Sequence, residues 1–211
     1  MSFNLEDYLE SNKMTGMSLD QYSYIFNYVK NKAPVNFLVF GLGLDSIIWN
    51  DHTNINGRTC FLEDVPDWIN KVKSENPSLE AHFTQYTNSA KEADELLRAY
   101  QSGDTHCLRL DLPHTILNTN WDIILVDGPQ GWHINNPGRM KSIFTAFDLQ
   151  KNLKSGDIFV HDSTRYIEKL YCDFFLEPNY NLVNNIEFKG ERHPDPNIIS
   201  QDFVSLTHFQ K

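Results

Sequence analysis

Strand-like runs in this chain repeatedly end in residues that carry chemistry. The run 121–126 ends at Asp127, followed by Gly128 and Pro129. The run 157–160 ends at His161 and Asp162, and the run 58–62 ends at Glu63 and Asp64. A fourth run, 35–40, opens directly into Gly41, Leu42, Gly43, Leu44, Asp45 and Ser46. Ligands of open α/β sheets bind at the carboxyl ends of the strands. Glycines at that place let the backbone turn sharply and approach a ligand closely. An acid at the end of the next strand stands where a carboxylate takes the two hydroxyls of a ribose. Gly41, Gly43 and Glu63 therefore read as an adenosyl-cofactor site; the plainer reading is a tight turn and a solvated Glu63 and Asp64.

A dinucleotide site would carry Gly-x-Gly-x-x-Gly, but position 46 is Ser. A cofactor without a pyrophosphate does not need the third glycine. The pattern favours S-adenosylmethionine over NAD. The Tyr-x-x-x-Lys spacing of short-chain dehydrogenases occurs as Tyr28 and Lys32, ahead of the first strand-like run, where no catalytic pair belongs.

Asp127, His161 and Asp162 converge if their two strands are neighbours, as sequential strands often are. Two carboxylates and an imidazole suit a divalent cation such as Mn, Co, Mg or Zn. Equally, Asp127 and Asp162 suit caps of the segments that follow. The loop after Asp127 holds Gly131, Trp132 and His133, then Pro137, Gly138, Arg139 and Met140. Arg139 is suited to a bidentate grip on a substrate carboxylate, and Trp132 to stacking on a sugar face. On the alternative reading Pro137 and Gly138 open a helix and Arg139 is solvated. Arg165 and Arg192 are further substrate-binding candidates. His52, His82, His106, His114, His193 and His208 are scattered and read as structural or surface residues. Cys60, Cys107 and Cys172 read as core thiols.

The elements that must position these residues alternate between strand and helix, which predicts an α/β domain with a mainly parallel sheet. Ser18 and Gln21 form a capping box for a helix over 18–31, whose Leu19, Tyr22, Ile25, Phe26 and Val29 share a face; Pro34 ends it. Strands are expected at 35–40, 58–62, 79–86, 106–110, 121–126 and 157–160. Helices are expected from Val65 to Val72, at 91–100 and 140–153, and around Ile167, Leu170, Tyr171 and Phe174. The alternating tail, 180–188 and 202–209, predicts a terminal antiparallel pair. Residues 1–17 read as an appendage and 18–211 as one domain.

Composition sets the outer limits. The 211 residues carry 28 acidic and 18 basic side chains, a formal charge of −10. Nucleic acids and anionic membranes need a basic footprint, so neither is an expected partner. Apolar residues at 40% and aromatics at 13% support a real core and exclude disorder. Three widely spaced cysteines make neither a disulfide scaffold nor a structural zinc site. No apolar run reaches membrane-spanning length, and the polar start does not resemble a signal peptide.

Taken together the motifs resemble a family. The stretches 36–46 (NFLVFGLGLDS), 57–63 (GRTCFLE), 121–129 (WDIILVDGP), 137–140 (PGRM) and 159–162 (FVHD) are similar to the glucuronoxylan glucuronic-acid 4-O-methyltransferases and their irregular-xylem relatives. The likeness runs over roughly 15–190, in order. It implies a class I, Rossmann-like methyltransferase fold, with a mainly parallel seven-stranded sheet and a terminal antiparallel hairpin. It implies S-adenosylmethionine as methyl donor, a divalent metal (Co, Mn or Mg), and a glucuronic acid residue of a polysaccharide as acceptor, at O-4 or O-3.

Carried over, the resemblance sets Gly41, Gly43, Asp45 and Ser46 along the methionine part of the cofactor. It sets Glu63 and Asp64 by the ribose, Asp127 against the cofactor as well, and Asp127, His161 and Asp162 at the reacting centre as metal ligands, with His161, Asp162 and His133 as candidate bases. Trp132, Arg139 and Arg165 fall to the acceptor. Leu44 stands where the plant enzymes usually carry His, and Trp132 with His133 replaces a more usual aromatic pair. The family works in the Golgi lumen behind a membrane anchor; this chain shows no anchor, so it reads as a trimmed or soluble version, and a cytoplasmic location stays open. Rival readings are a metal-dependent O-methyltransferase of a small molecule or free sugar, and a non-catalytic relative in polysaccharide synthesis.

Overall fold

The computed structural model describes residues 3–14, 16–190, 194–199 and 201–211. Ser18 caps its helix as expected: its Oγ accepts from the Gln21 N–H, and Gln21 Oε1 accepts from the Ser18 N–H. In chain order the elements are α1 (Leu5–Ser11), α2 (Leu19–Lys32), β1 (Asn36–Phe40), β2 (Arg58–Glu63), α3 (Pro66–Glu75), β3 (Glu80–Phe83), α4 (Ala93–Gln101) and α5 (His114–Leu117). They continue with β4 (Ile123–Val126), α6 (Met140–Gln150), β5 (Asp157–His161), α7 (Tyr166–Tyr171), β6 (Asn181–Lys189) and β7 (Phe203–Gln210).

The seven strands lie in the order β3-β2-β1-β4-β5-β7-β6. Strands β1 to β5 are parallel, and β7 runs antiparallel to both β5 and β6. This is the mainly parallel sheet with a terminal hairpin that the sequence predicts. The chain leaves β1 toward β2 on one side and later returns to β4 on the other. Loops diverge at such a reversal and leave a crevice at the strands' carboxyl ends.

Register then decides what faces the crevice. Phe40 pairs with Leu62 and Val126, and Val126 pairs with Val160. Gly41, Glu63, Asp127 and His161 therefore lie one residue past the same line across four strands. The central strands are buried on both faces, as parallel strands covered by helices must be. Leu38, Phe40, Cys60, Leu62, Ile124, Val126, Ile158 and Val160 face one core. Phe37, Val39, Phe61, Ile123, Leu125 and Phe159 face the other, which α2 covers with Tyr22, Ile25 and Val29.

Several expectations change. The segment 106–110 is not a strand. Both edges of β1 and β4 are occupied, and the segment joins neither outer strand of the sheet, β3 or β6. Leu108 is buried instead as a loop residue, and the turn is held by the His106 N–H donating to Asp104 Oδ1 at 3.1 Å. The strand expected over 79–86 shortens to β3. The helix expected from 91 begins with a 3-10 turn, Ala90–Glu92, capped by Ser89 and Glu92. Residues 5–11 form α1, which apolar periodicity did not reveal. No helix among the described residues is long and apolar enough to cross a membrane.

Candidate active site

The 41–46 loop is built around two glycines that no other residue can replace cheaply. Gly41 has φ +107°, in the left-handed region. A Cβ on Gly128 would lie 2.8 Å from Gly41 Cα, so the β1 and β4 turns touch backbone to backbone. The loop is tied down from beneath. Leu42 N–H donates to Glu63 Oε2 at 2.9 Å, and Gly43 N–H donates to Ser46 Oγ at 3.1 Å. Trp68 of α3 donates its indole N–H to the Leu42 carbonyl.

These turns enclose a cavity of about 440 Å³, lined by Gly41, Gly43, Asp45, Glu63, Asp64, Trp68 and Asp127 among others. Six of the seven residues the sequence assigns to the cofactor thus share one cavity; Ser46 is buried behind it and braces Gly43. Glu63 departs in detail from a direct ribose ligand. Its two oxygens accept from the Leu42 and Val65 N–H groups, which fastens the β1 loop to the end of β2. Asp64 is the more open carboxylate beside it.

Charge gives the cavity its character. Burial, then the negative Asp127, pushes the Asp45 carboxyl up to about 7, against an indole N–H donated by Trp49 at 3.3 Å. Burial also raises Glu63 and Asp64. Among the described residues none of these three acids has a basic partner within salt-bridge distance. Such a wall repels a pyrophosphate and attracts a cation. S-adenosylmethionine, with a sulfonium and an ammonium against one carboxylate, fits it. Tyr28 and Lys32, the dehydrogenase-like spacing, both hold Asp157 at the opposite end of β5, at 2.6 and 2.7 Å.

Beside the cavity lies a network of buried charges. Asp127 Oδ1 meets His161 Nδ1 at 2.9 Å and Arg139 Nη2 at 3.1 Å. Asp162 Oδ2 meets Arg165 Nη2 at 2.6 Å, Arg139 Nη1 at 3.2 Å and His161 Nδ1 at 3.5 Å. Asp162 itself sits at φ +58° in the turn after β5. Burial would raise its carboxyl, but Arg139, His161 and Arg165 overcome that and hold it well below the usual carboxylate range. Glu168 of α7, fully buried, completes the network at 3.3 Å from Arg165 Nε.

Two expected roles change here. The sequence assigns Arg139 to an acceptor carboxylate and Arg165 to the acceptor, yet they are only 5% and 4% exposed and are directed at Asp127, Asp162 and Glu168. Buried carboxylates require such partners. Asp127, His161 and Asp162 do come together, but Asp127 Oδ1 and Asp162 Oδ2, the oxygens turned toward His161, already meet guanidinium groups. Among the described residues, the group that brings three Cys, His or carboxylate donors within 4.8 Å of one another is Cys60, Glu80 and His82, on β2 and β3. The Asp127, His161 and Asp162 set, as arranged, does not fit a divalent ion.

His133 turns to its own loop, where its Nδ1 accepts from the Asn135 N–H at 3.1 Å. Trp132 is 50% exposed beside it, and its carbonyl accepts from the Ile199 N–H at 2.7 Å. The 131–134 loop is thus pinned to the β6–β7 connection. Arg192 and His193 lie outside the described residues. Sequence reasoning missed Glu168, Trp68 and Gln201; Gln201 Nε2 donates to Asp162 Oδ1 at 2.7 Å. Nothing local marks Trp68 and Gln201, which act on residues distant in sequence, whereas Glu168 stands three residues after Arg165 on one helix face.

Comparison with known proteins gives the site its context. The family described as IRX15/IRX15L/GXM matches residues 20–189. Arabinogalactan O-methyltransferase 1 of Arabidopsis thaliana is 38% identical over 192 residues, covering 83% of this chain and 66% of that protein. Glucuronoxylan 4-O-methyltransferase 1 of the same plant is 39% identical over 163 residues, covering 71% and 57%. The chain spans between 57% and 67% of the length of the curated relatives it matches. Among solved structures, a precorrin-6y C5,15-methyltransferase from Geobacter metallireducens GS-15 superposes with a TM-score of 0.55 at 14% identity, covering 100% of this chain and 97% of that one. That likeness speaks to the fold, which is that of class I S-adenosylmethionine-dependent methyltransferases. The chain belongs to the IRX15/IRX15L/GXM family.

Proposed function

We propose that the chain is an S-adenosylmethionine-dependent O-methyltransferase that methylates a hydroxyl of a glucuronic acid residue in a polysaccharide, O-4 before O-3. The observation that carries this reading is the anionic cavity bounded by the 41–46 loop and Asp127, with His161 hydrogen-bonded to Asp127 at its edge. The printed activities of the relatives, on glucuronoxylan and arabinogalactan, support the acceptor class.

S-adenosylmethionine supplies a methyl group on a sulfonium, which an attacking oxygen takes in line as a neutral thioether leaves. The chain's residues supply position and charge. Asp45, Glu63 and Asp64 face the cationic donor, with no salt-bridge partner of their own among the described residues. A sugar hydroxyl must lose its proton as it attacks, and a positioned carboxylate can take it. The described contacts to the Asp127 side chain fall on Oδ1, from His161 and Arg139, so Oδ2 is left for the hydroxyl. Arg139 and His161 hold that carboxylate at one orientation, the part of catalysis that comes from placement. The exposed Trp132 offers a sugar a stacking face. With Arg139 and Arg165 spent internally, His133 is the basic group that the Trp132 loop offers to a uronate carboxylate. No step runs through a metal.

Labelled S-adenosylmethionine and glucuronic-acid-bearing oligosaccharides, with linkage analysis of the product, test the reading. Label in a methyl ether of glucuronate is expected. Transfer to catechols or free sugars but to no uronic-acid oligosaccharide would overturn the acceptor assignment. Arms with Co²⁺, Mn²⁺, Mg²⁺ and EDTA read the family's metal expectation directly.

A further inference from the structure

The family match begins at residue 20, yet α1, ahead of it, reaches the cofactor loop. The Tyr8 hydroxyl donates to the Leu44 carbonyl at 2.7 Å. The helix that carries Tyr8 is a seated element. Asn4 Oδ1 caps it by accepting from the Glu6 N–H at 3.0 Å. Leu9 is buried in the core that holds Ile48 and Trp49. Phe3 stacks on His52 with ring centroids 3.8 Å apart, and it also touches the Tyr8 ring at 5.6 Å.

The contact has a consequence through covalent geometry. A peptide unit is planar, so fixing the Leu44 carbonyl fixes the direction of the Asp45 N–H across the same bond. Asp45 is the buried acid of the cavity wall, and Gly43 lies one residue upstream of Leu44. Trp68 holds the Leu42 carbonyl from α3 in the same manner. Two aromatic donors, from elements far apart in sequence, thus hold alternate carbonyls of one loop. Glycine-rich backbone is free to move unless something outside holds it.

We propose that Tyr8 is a positioning residue of the cofactor site. By holding the Leu44 carbonyl, α1 sets Asp45 and Gly43 against the methionine end of the adenosyl ligand. This rests on the S-adenosylmethionine reading given above. It makes the amino-terminal helix a working part of the donor site and not an appendage.

Calorimetric titration of the full chain with S-adenosylhomocysteine and S-adenosylmethionine, for wild type, Tyr8→Phe and Leu9→Ala, tests it. Tyr8→Phe keeps the ring and its packing and removes only the hydroxyl. The expected result is affinity weakened about 3- to 10-fold for both ligands, as for loss of one partly buried hydrogen bond. In turnover the loss falls on KM for S-adenosylmethionine more than on kcat. Leu9→Ala, which unseats α1 and leaves the hydroxyl in place, is expected to weaken binding in the same direction. A merely structural Tyr8 would lower the melting temperature of the unliganded protein and leave both dissociation constants, measured well below it, at the wild-type value; that outcome overturns the proposal. Absence of binding by the wild type would instead remove the cofactor reading, and the proposal with it.

Discussion

Asp127 and His161 meet at 2.9 Å, from the carboxyl ends of neighbouring strands, and their surroundings differ sharply. The Asp127 side chain keeps 27% of its surface open, while that of His161 is almost wholly enclosed. The His161 Nε2 has no hydrogen-bond partner among the described residues. The open member is the one able to touch a hydroxyl, and the closed one orients it. Replacing Asp127 with Asn should therefore lower kcat for label transfer by about 10²- to 10⁴-fold, the usual worth of a positioned base. S-adenosylhomocysteine binding, followed by calorimetry, should change far less.

Asp45 links donor binding to pH. Its carboxyl stands at about 7, raised by burial and by Asp127. A cationic donor favours the charged form, so S-adenosylmethionine affinity should rise as pH goes from 6 to 8, with proton release on binding. Asp45→Asn should flatten the profile. Stability runs the other way. The folded protein holds this proton more tightly than the unfolded chain, so the contribution is complete below about pH 4 and fades as pH rises toward 7, at about 1.4 kcal/mol per unit of separation. Urea melts at pH 5 and pH 8 read this directly.

Arg139 ties Asp127 to Asp162, and its removal takes a shared guanidinium from one enclosed carboxylate, Asp162, and one half-buried carboxylate, Asp127. Arg139→Met should cost about 3–5 kcal/mol in chemical unfolding. Were Arg139 a substrate residue, the variant would fold normally and lose only acceptor KM. The pH signature follows Asp162. Its carboxyl is held below the usual range, so its contribution is present above about pH 4 and disappears as pH falls further.

Trp132 is the exposed aromatic of the loop that follows Asp127. Trp132→Ala should raise KM for an oligosaccharide acceptor about 10-fold, the equivalent of roughly 1.4 kcal/mol of stacking. Donor affinity should stay at the wild-type value. A free methylatable sugar, reaching less of the loop, should be affected less.

The amino-acid sequence by itself determined the alternation of strands and helices, the glycine turn after β1 and the acids that close β2, β4 and β5. These are local signals: periodicity, capping and the chemistry of a strand's last residue act over a few positions. It also marked Trp132 as an aromatic in the right loop. It did not determine which charges would be spent on one another. Arg139 and Arg165 read equally well as substrate ligands until the turn after β4, the turn after β5 and α7 were folded together. Then Asp127, Asp162 and Glu168 became their partners, because a buried carboxylate cannot stand alone. Tyr8 with Leu44, Trp68 with Leu42 and Gln201 with Asp162 are of the same kind. Each joins residues that no spacing rule connects, and only sheet order and packing bring them within a hydrogen bond. The strand expected at 106–110 is the converse case: its local pattern is adequate, but β1 and β4 pair with each other, and Leu108 is buried from a loop instead.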